Sequence, residues 1–233
     1  MIGEDQIIKN YQKLLSKLKE YSYGGEKPKL VMVTKDRPVD LVQKILSQLE
    51  KPIIGENRVQ EALSKIDVCG ATKAEWHFIG HLQRNKVKKI IGKFALIHSL
   101  DRLPLAREID KRARNSNLLV KCLLQIDISQ DGSKFGFFPT EDVIQEVLQE
   151  IGTLTHLRIE GLMTIAPYIS PEDTREYFRR MRTLYENIKT YNNLPLNVEM
   201  KILSMGMSND YVIALEEGST MIRLGRRIFE EYD

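Results

Sequence analysis

Short apolar runs alternate with amphipathic stretches along the whole chain, and this alternation limits the folds that it can adopt. Several of the runs are almost continuously apolar, as strands covered on both faces of a parallel sheet require. The predicted strands are 29–33, 52–55, 75–80, 95–99, 118–127, 157–164, 197–204 and 220–224. The predicted helices are 39–49, 58–66, 83–91, 103–116, 141–151, 171–191 and 210–217, and a further helix at 5–21 precedes the first strand.

Eight strand–helix units in a chain of 233 residues predict an α/β protein of the (β/α)8 barrel type, which typically needs about 250 residues. A doubly wound open sheet is the alternative arrangement of the same elements. No linker rich in Pro, Gly or Ser divides the chain. We therefore expect residues 1–233 to form a single domain.

Composition narrows the class of protein. The net charge of +3 and the pI near 8.7 come from a small excess of basic residues and do not by themselves indicate a nucleic-acid partner. No apolar run approaches the roughly 18 residues of a membrane span, and the N-terminus lacks the features of a secretion signal. Cys69 and Cys122 lie in unrelated segments, so we expect neither a disulfide framework nor a metal site, and a cytoplasmic location.

Lys35 follows the first predicted strand, and Asp36-Arg37-Pro38 ends that segment. At the end of a strand buried on both faces, a lysine would meet a region of low dielectric constant, where desolvation lowers the pKa of its ammonium group. A neutral lysine is the nucleophile that forms Schiff bases with aldehydes such as pyridoxal phosphate. The alternative is a lysine that begins a loop and extends to water.

Polar residues and glycines collect where the other predicted strands end, which is the edge at which a barrel builds its active site. The segments are 55–58, Gly80-His81, His98-Ser99, Gln125-Ile126-Asp127, 204–210 and 223–227. The last two segments follow the seventh and eighth strands, where barrels often bind phosphate. Ser208-Asn209-Asp210 is predicted to cap the next helix, Ser208 could donate its hydroxyl to phosphate, and Gly225 and Arg226 could supply close backbone approach and charge. A capped helix and an ordinary glycine turn would explain the same residues.

Two further patterns have simpler explanations. His77 and His81 are four residues apart, but in a strand such residues lie roughly 13 Å from each other, so they are not predicted to share a metal ion. His77 is expected to be a hydrogen-bonded interior residue, and His81 a residue of the pocket. The basic runs 84–89 and 111–114 are expected to form solvated helix faces, with nucleic-acid binding as the alternative.

Taken together, these residues resemble the pyridoxal phosphate homeostasis protein family. The matching motifs span most of the chain in order: 33–35, 55–61, 76–86, 98–101, Lys134-Phe135-Gly136, 161–166, 203–208 and 218–225. The resemblance implies a barrel similar to the N-terminal domain of alanine racemase, which is fold type III among pyridoxal phosphate proteins. It also implies that Lys35 holds pyridoxal 5′-phosphate as a Schiff base.

The resemblance further implies a set of residues around the cofactor: Asn57, His81, Ser204, Ser208, Arg223, Gly225 and Arg226. Arg223 would face the pyridine nitrogen and leave it unprotonated, which weakens the electron sink. This chain departs from the family pattern at Arg58, where relatives carry Tyr or Phe, and at Arg226, where they carry Ser or Thr. It also reads Glu230 where relatives carry Gly.

The sequence favours a carrier of the cofactor over a catalyst. A two-base racemase needs a second proton donor, which in alanine racemase comes from a further domain, and the chain stops just after the eighth predicted strand. We therefore expect a non-catalytic, monomeric protein that buffers pyridoxal 5′-phosphate or delivers it to apoenzymes, without a nucleic-acid or membrane partner. One alternative is a weak amino-acid racemase or lyase, in which Lys35 acts as the base with His81 or a pocket water as its partner. The other is a barrel that binds nucleic acid through its basic faces.

Overall fold

A computed structural model of the chain describes residues 2–130 and 135–231. Within them, eight parallel strands pair in chain order and close into a barrel, because the eighth strand pairs with the first. The strands are β1 (Lys29–Val33), β2 (Ile53–Glu56), β3 (Glu75–Phe78), β4 (Leu96–Leu100), β5 (Val120–Ile126), β6 (Leu157–Thr164), β7 (Val198–Ser204) and β8 (Met221–Leu224). The barrel prediction is confirmed, and the open sheet is excluded.

The helices follow the predicted order with three differences. They are α1 (Glu4–Leu18), α2 (Val39–Gln48), α3 (Val59–Cys69), α4 (Val87–Ile90), α5 (Leu103–Asn115), α6 (Glu141–Gly152), α7 (Arg175–Lys189), α8 (Tyr211–Glu216) and α9 (Arg226–Phe229). The predicted helix 83–91 is a 3-10 turn followed by the short α4, and α7 is likewise preceded by a 3-10 turn, Glu172–Thr174. α9 was not predicted, because four residues are too few to show a helical period.

The apolar residues divide between the inside of the barrel and the layer beneath the helices. Strand residues alternate in direction, so every second side chain points into the barrel. A small buried cluster drawn from different strands fills part of that interior: Val31, Leu96, Leu123, Met163 and Met221. The helices cover the outer faces, and α1 adds its apolar face beside β1 and β8. Asn10 of α1 donates to the carbonyl of Ile228 at 3.2 Å, which ties α1 to α9.

The surface agrees with the prediction for the second basic run. Arg112 and Arg114 pair along α5 with Glu108 and Asp110 at 2.6 and 2.7 Å, as residues of a solvated helix face do. In residues 2–130 and 135–231, no helix is both long and apolar enough to span a bilayer.

Candidate functional site

A cavity of about 470 Å³ opens at the carboxyl-terminal end of the barrel. Its walls come from the carboxyl-terminal ends of β1, β2, β3, β6, β7 and β8 and the segments that follow them. Six of the eight residues predicted for the site line it together: Lys35, Asn57, Ser208, Arg223, Gly225 and Arg226. We call this space the Lys35 cavity. Its position is that of active sites in (β/α)8 barrels.

Lys35 lies at the rim of the cavity. β1 ends at Val33, and the side chain of Lys35 is 44% exposed, with its Nζ 3.7 Å from Asp36 Oδ2. The prediction of a desolvated lysine is therefore wrong for this structure, because the chain turns at Asp36 (φ 58°) and leaves the amine in contact with water. The amine nevertheless lines the same cavity as the other predicted residues.

Arg223 lies in the cavity wall on β8 and is 4% exposed. Its Nη1 donates to Ser204 Oγ at 2.6 Å, and its Nη2 donates to the carbonyl of Thr164 at 2.8 Å. Burial lowers the pKa of Arg223 to about 10, against the opposing effect of Asp210, so the guanidinium stays charged at neutral pH. Ser204 itself does not line the cavity, contrary to prediction. It lies behind Arg223 and holds it.

A row of polar side chains continues from Ser204 through the barrel interior. His98 Nδ1 lies 3.2 Å from Ser204 Oγ, and His98 Nε2 lies 2.9 Å from His77 Nδ1. His77 Nε2 lies 2.9 Å from Glu75 Oε1 at the other end of β3. Two neutral imidazoles with protonated Nε2 atoms satisfy every contact, each group donating to the next from Arg223 to Glu75. We call these five side chains the interior row.

The electrostatics of the interior row favour neutral histidine at its centre. Burial lowers the pKa of His98 well below 6.5, and the nearby charge of Arg223 acts in the same direction. The interior position predicted for His77 is confirmed. His98 and Ser99 were predicted at the end of the fourth strand, and both are buried within β4, which continues to Leu100. In the sequence, the interior row is indicated only by Glu75 and His77, which are two residues apart in a strand and therefore point to the same face.

The loops after β7 and β8 are held together by arginines. Arg226 Nη2 donates to Asn209 Oδ1 at 3.0 Å, and Arg227 Nε donates to the carbonyl of Ser208 at 3.1 Å. The predicted helix cap is wrong: Asp210 Oδ1 accepts from the backbone N–H of Met207 at 2.6 Å, upstream of α8. The carboxylate therefore closes the loop and leaves the first turn of α8 uncapped by a side chain.

Asn57 is fixed by the neighbouring loop. A methyl group at Gly80 would lie 2.0 Å from the carbonyl oxygen of Asn57, so a residue without Cβ is needed there. Asn57 Oδ1 is buried and has no hydrogen-bond partner in the described part of the chain. A buried amide oxygen without a partner is costly, so Asn57 has an acceptor to offer to a molecule that reaches it.

His81 lies beside the Lys35 cavity and not in its lining. It faces a neighbouring groove of about 330 Å³ that shares Asn57 and also includes Lys86 and Lys89. Its Nδ1 is 3.1 Å from Asp101 Oδ2, and its ring stacks on Phe135 with centroids 3.9 Å apart. Lys134, from the same predicted motif as Phe135, lies outside the described residues.

Arg58, one of the departures from the family pattern, lies next to Lys35. Its Nη1 is 3.0 Å from Asp36 Oδ1, and both side chains are more than half exposed. Asp36 is thus shared between Arg58 and Lys35. Because the pair is exposed, its contribution to the free energy of unfolding is small.

The barrel and the charged cavity at its carboxyl-terminal end define a class of protein. A family model described as "Alanine racemase, N-terminal domain" matches residues 2–232, and the chain has the fold of that class. An alanine racemase of Clostridium difficile superposes with a TM-score of 0.74 at 19% identity, covering 98% of this chain and 56% of that one.

Within that class, the chain belongs to the pyridoxal phosphate homeostasis protein family. A protein of that name from Aquifex aeolicus is 41% identical over 209 residues, which are 89% of each chain. PipY of Synechococcus elongatus, solved with pyridoxal phosphate bound, is 30% identical with a TM-score of 0.82, over 96% of this chain and 99% of that one. The family resemblance predicted from the motifs is confirmed.

Proposed function

We propose that this chain binds pyridoxal 5′-phosphate in the Lys35 cavity, with the cofactor held as a Schiff base on Lys35, and that it buffers or delivers the cofactor without robust catalysis. The observation that carries the proposal is the convergence of a primary amine, a buried guanidinium and the paired β7 and β8 loops on one cavity. The names of the relatives and the ligand bound to PipY support it.

The residues of the cavity fit such a cofactor. A volume of about 470 Å³ is in the range of small-molecule sites. Four basic side chains and two carboxylates line it, so its net charge favours a phosphate. Asn57 offers an amide oxygen without a partner, which can accept from a ligand or, after rotation of the amide, be replaced by the donating nitrogen.

Each group has a separate task in this proposal. Lys35 supplies the amine, and Ser208, Gly225 and Arg226 face the phosphate. Arg223 faces the pyridine nitrogen, and a guanidinium that keeps its protons at neutral pH has none to give to that nitrogen. Bound pyridoxal phosphate acts as an electron sink, and this sink is weaker when the nitrogen is unprotonated.

A role without robust catalysis is supported by the position of His81. A two-base racemase needs a second acid–base group fixed on the opposite side of the reacting carbon from the lysine. The candidates from the sequence were His81 and a pocket water, and His81 faces the neighbouring groove, with its Nδ1 close to Asp101. His81 is therefore not placed to serve as the second acid–base group of a racemase, and of the two candidates only a pocket water is left for that role.

The test is the absorbance spectrum of the purified protein with added pyridoxal 5′-phosphate. We expect a visible Schiff-base band that borohydride removes, present in Lys44→Ala and absent in Lys35→Ala. Lys44 is a suitable control because it is an exposed lysine of α2, 64% exposed. Amino acids added to the same sample should give no racemised product. A band that persists in Lys35→Ala, or racemisation that is lost in that variant, would refute the proposal.

We further propose that the protein acts as a monomer and passes its cofactor to apoenzymes. Lys35 lies at an exposed rim, where a leaving cofactor or an approaching acceptor can reach it. Light scattering should give the mass of one chain, 27.0 kDa. A competing amine that traps free cofactor is added to both samples. The loaded protein should then restore activity to a dependent apoenzyme faster than the same amount of free cofactor does. Equal rates would mean release and not transfer by contact.

A further inference from the structure

Lys65 of α3 is a buried lysine next to the loop that carries Lys35. It is 2% exposed, and its Nζ donates to three oxygens. These are the carbonyl of Thr34 at 2.6 Å, Glu56 Oε1 at 2.7 Å and Glu61 Oε1 at 2.6 Å. All three protons of the ammonium group are thus used.

This cluster contacts the chain on both sides of Lys35. On the upstream side, Lys65 binds the carbonyl of Thr34, and the hydroxyl of Thr34 donates to Glu56 Oε1 in a short hydrogen bond. On the downstream side, the backbone N–H of Asp36 donates to Glu61 Oε1 at 2.8 Å. The residues before and after Lys35 are therefore attached to one buried set of charges.

Stability alone does not explain such a cluster. Removing ions from water costs free energy, and a buried ion pair often contributes no more than apolar residues of the same volume. The cluster instead fixes the positions of the groups that it joins, because each of its hydrogen bonds is short and directional. Burial raises the pKa of Glu56, and its hydrogen bonds to Lys65 and Thr34 oppose that shift. The two partners therefore offset part of the cost of burying this carboxylate.

We propose that Lys65, Glu56 and Glu61 are positioning residues that fix the backbone at Thr34 and Asp36 and so aim the side chain of Lys35 into its cavity. The inference deepens the proposed function and rests on Lys35 as the residue that holds the cofactor. It assigns a role to the second half of the motif at 55–61, a motif of which only Asn57 lines the cavity.

Glu61 gives the sharpest test, because its side chain is 22% exposed and its loss leaves Glu56 paired with Lys65. In Glu61→Ala we expect hydrogen exchange of the Asp36 amide in the cofactor-free protein to rise at least about tenfold, since its acceptor is gone. We also expect about tenfold weaker formation of the Schiff-base band. Glu61→Gln keeps an acceptor oxygen and should restore both quantities to near the wild-type values.

Glu160→Ala is the matched control. Glu160 is likewise a largely buried glutamate paired with a lysine, Lys121, at 2.9 Å, but it lies on β6 away from the Lys35 loop. It should leave both quantities unchanged. If Glu61→Ala behaves as Glu160→Ala does, the inference is overturned. If the wild type forms no band, the proposed function fails instead, and exchange of the Asp36 amide still decides whether the cluster holds the loop.

A second variant removes the fully buried ion pair at the centre and leaves only the partly exposed Glu61 charged. Lys65→Met combined with Glu56→Gln removes one positive and one negative charge together, so that folding can be retained. A folded double variant should show the same faster exchange at Asp36. Unchanged exchange in that folded variant would also overturn the inference.

Discussion

Arg223 is the buried member of the four basic side chains that line the Lys35 cavity, and Arg226 is an exposed one. The two arginines therefore differ in what their removal should do. Arg223 has two short hydrogen bonds inside the barrel, so its loss would leave Ser204 and Thr164 without a donor. Arg226 binds Asn209 at the surface, so its contribution to a bound phosphate can be measured without damage to the core.

Arg226→Ala should weaken binding of pyridoxal 5′-phosphate by about 1.5-fold to fivefold, the range expected of an exposed charge pair. Binding of pyridoxal, which has no phosphate, should be unchanged. Titration of the Schiff-base band with both compounds measures this. An equal loss for the two compounds would show that Arg226 does not act on the phosphate.

His98 makes the free energy of unfolding depend on pH. Its pKa in the folded state is lowered well below 6.5, so the unfolded chain binds a proton that the folded chain excludes. The stabilisation is therefore present above about pH 6.5 and is lost as the pH falls towards the folded-state pKa, by up to about 1.4 kcal/mol per pH unit. Urea denaturation between pH 8 and 5 should show this slope, and His98→Asn should flatten it. Equal slopes in the two proteins would contradict the assignment.

At the scale of elements, the loop after β3 packs directly on the loop after β2. Gly80 packs so close to the carbonyl oxygen of Asn57 that a methyl group at Gly80 would not fit. The position of Asn57 in the cavity is thus set by a neighbouring strand and not by its own segment. A substitution at Gly80 should therefore act on ligand binding from outside the cavity.

Gly80→Ala should lower the free energy of unfolding by about 1–3 kcal/mol, as overpacking does, and should also weaken cofactor binding by displacing Asn57. Gly3→Ala is the control, because a methyl group there would meet no atom within 4 Å. Denaturation and titration of both variants measure the two effects. A Gly80→Ala protein that is destabilised but binds as well as the wild type would show that Asn57 does not contact the cofactor.

The sequence predicted these elements well where one segment carries its own signal. The apolar run at 29–33 gave β1 without error, and glycine and polar residues marked the strand ends that form the cavity. The interior row was not predicted, because contacts such as that of His77 with His98 depend on the pairing of β3 with β4. The prediction that Lys35 is desolvated was also wrong, since the exposure of its side chain is decided by the backbone at Asp36 and not by the strand.

At the scale of the whole molecule, the Lys35 cavity joins the beginning of the barrel to its end. β1 carries the Lys35 loop, β8 carries Arg223, and these two strands pair to close the barrel. A ligand that contacts both sides bridges the point of closure and binds only when the barrel is formed. Binding should therefore stabilise the folded chain as a unit.

Pyridoxal 5′-phosphate at a concentration 100 times its Kd should add about 2.7 kcal/mol to the free energy of unfolding. For a chain of 233 residues this corresponds to a rise in Tm of about 5–10 °C. Lys35→Ala removes the exposed amine that is proposed to hold the cofactor, so the Tm of the free variant should stay close to that of the wild type while most of the rise disappears. Calorimetry of both proteins with and without the cofactor measures this. An equal rise in Lys35→Ala would mean that the cofactor is held mainly by the phosphate and ring contacts, and that the lysine contributes little to the affinity.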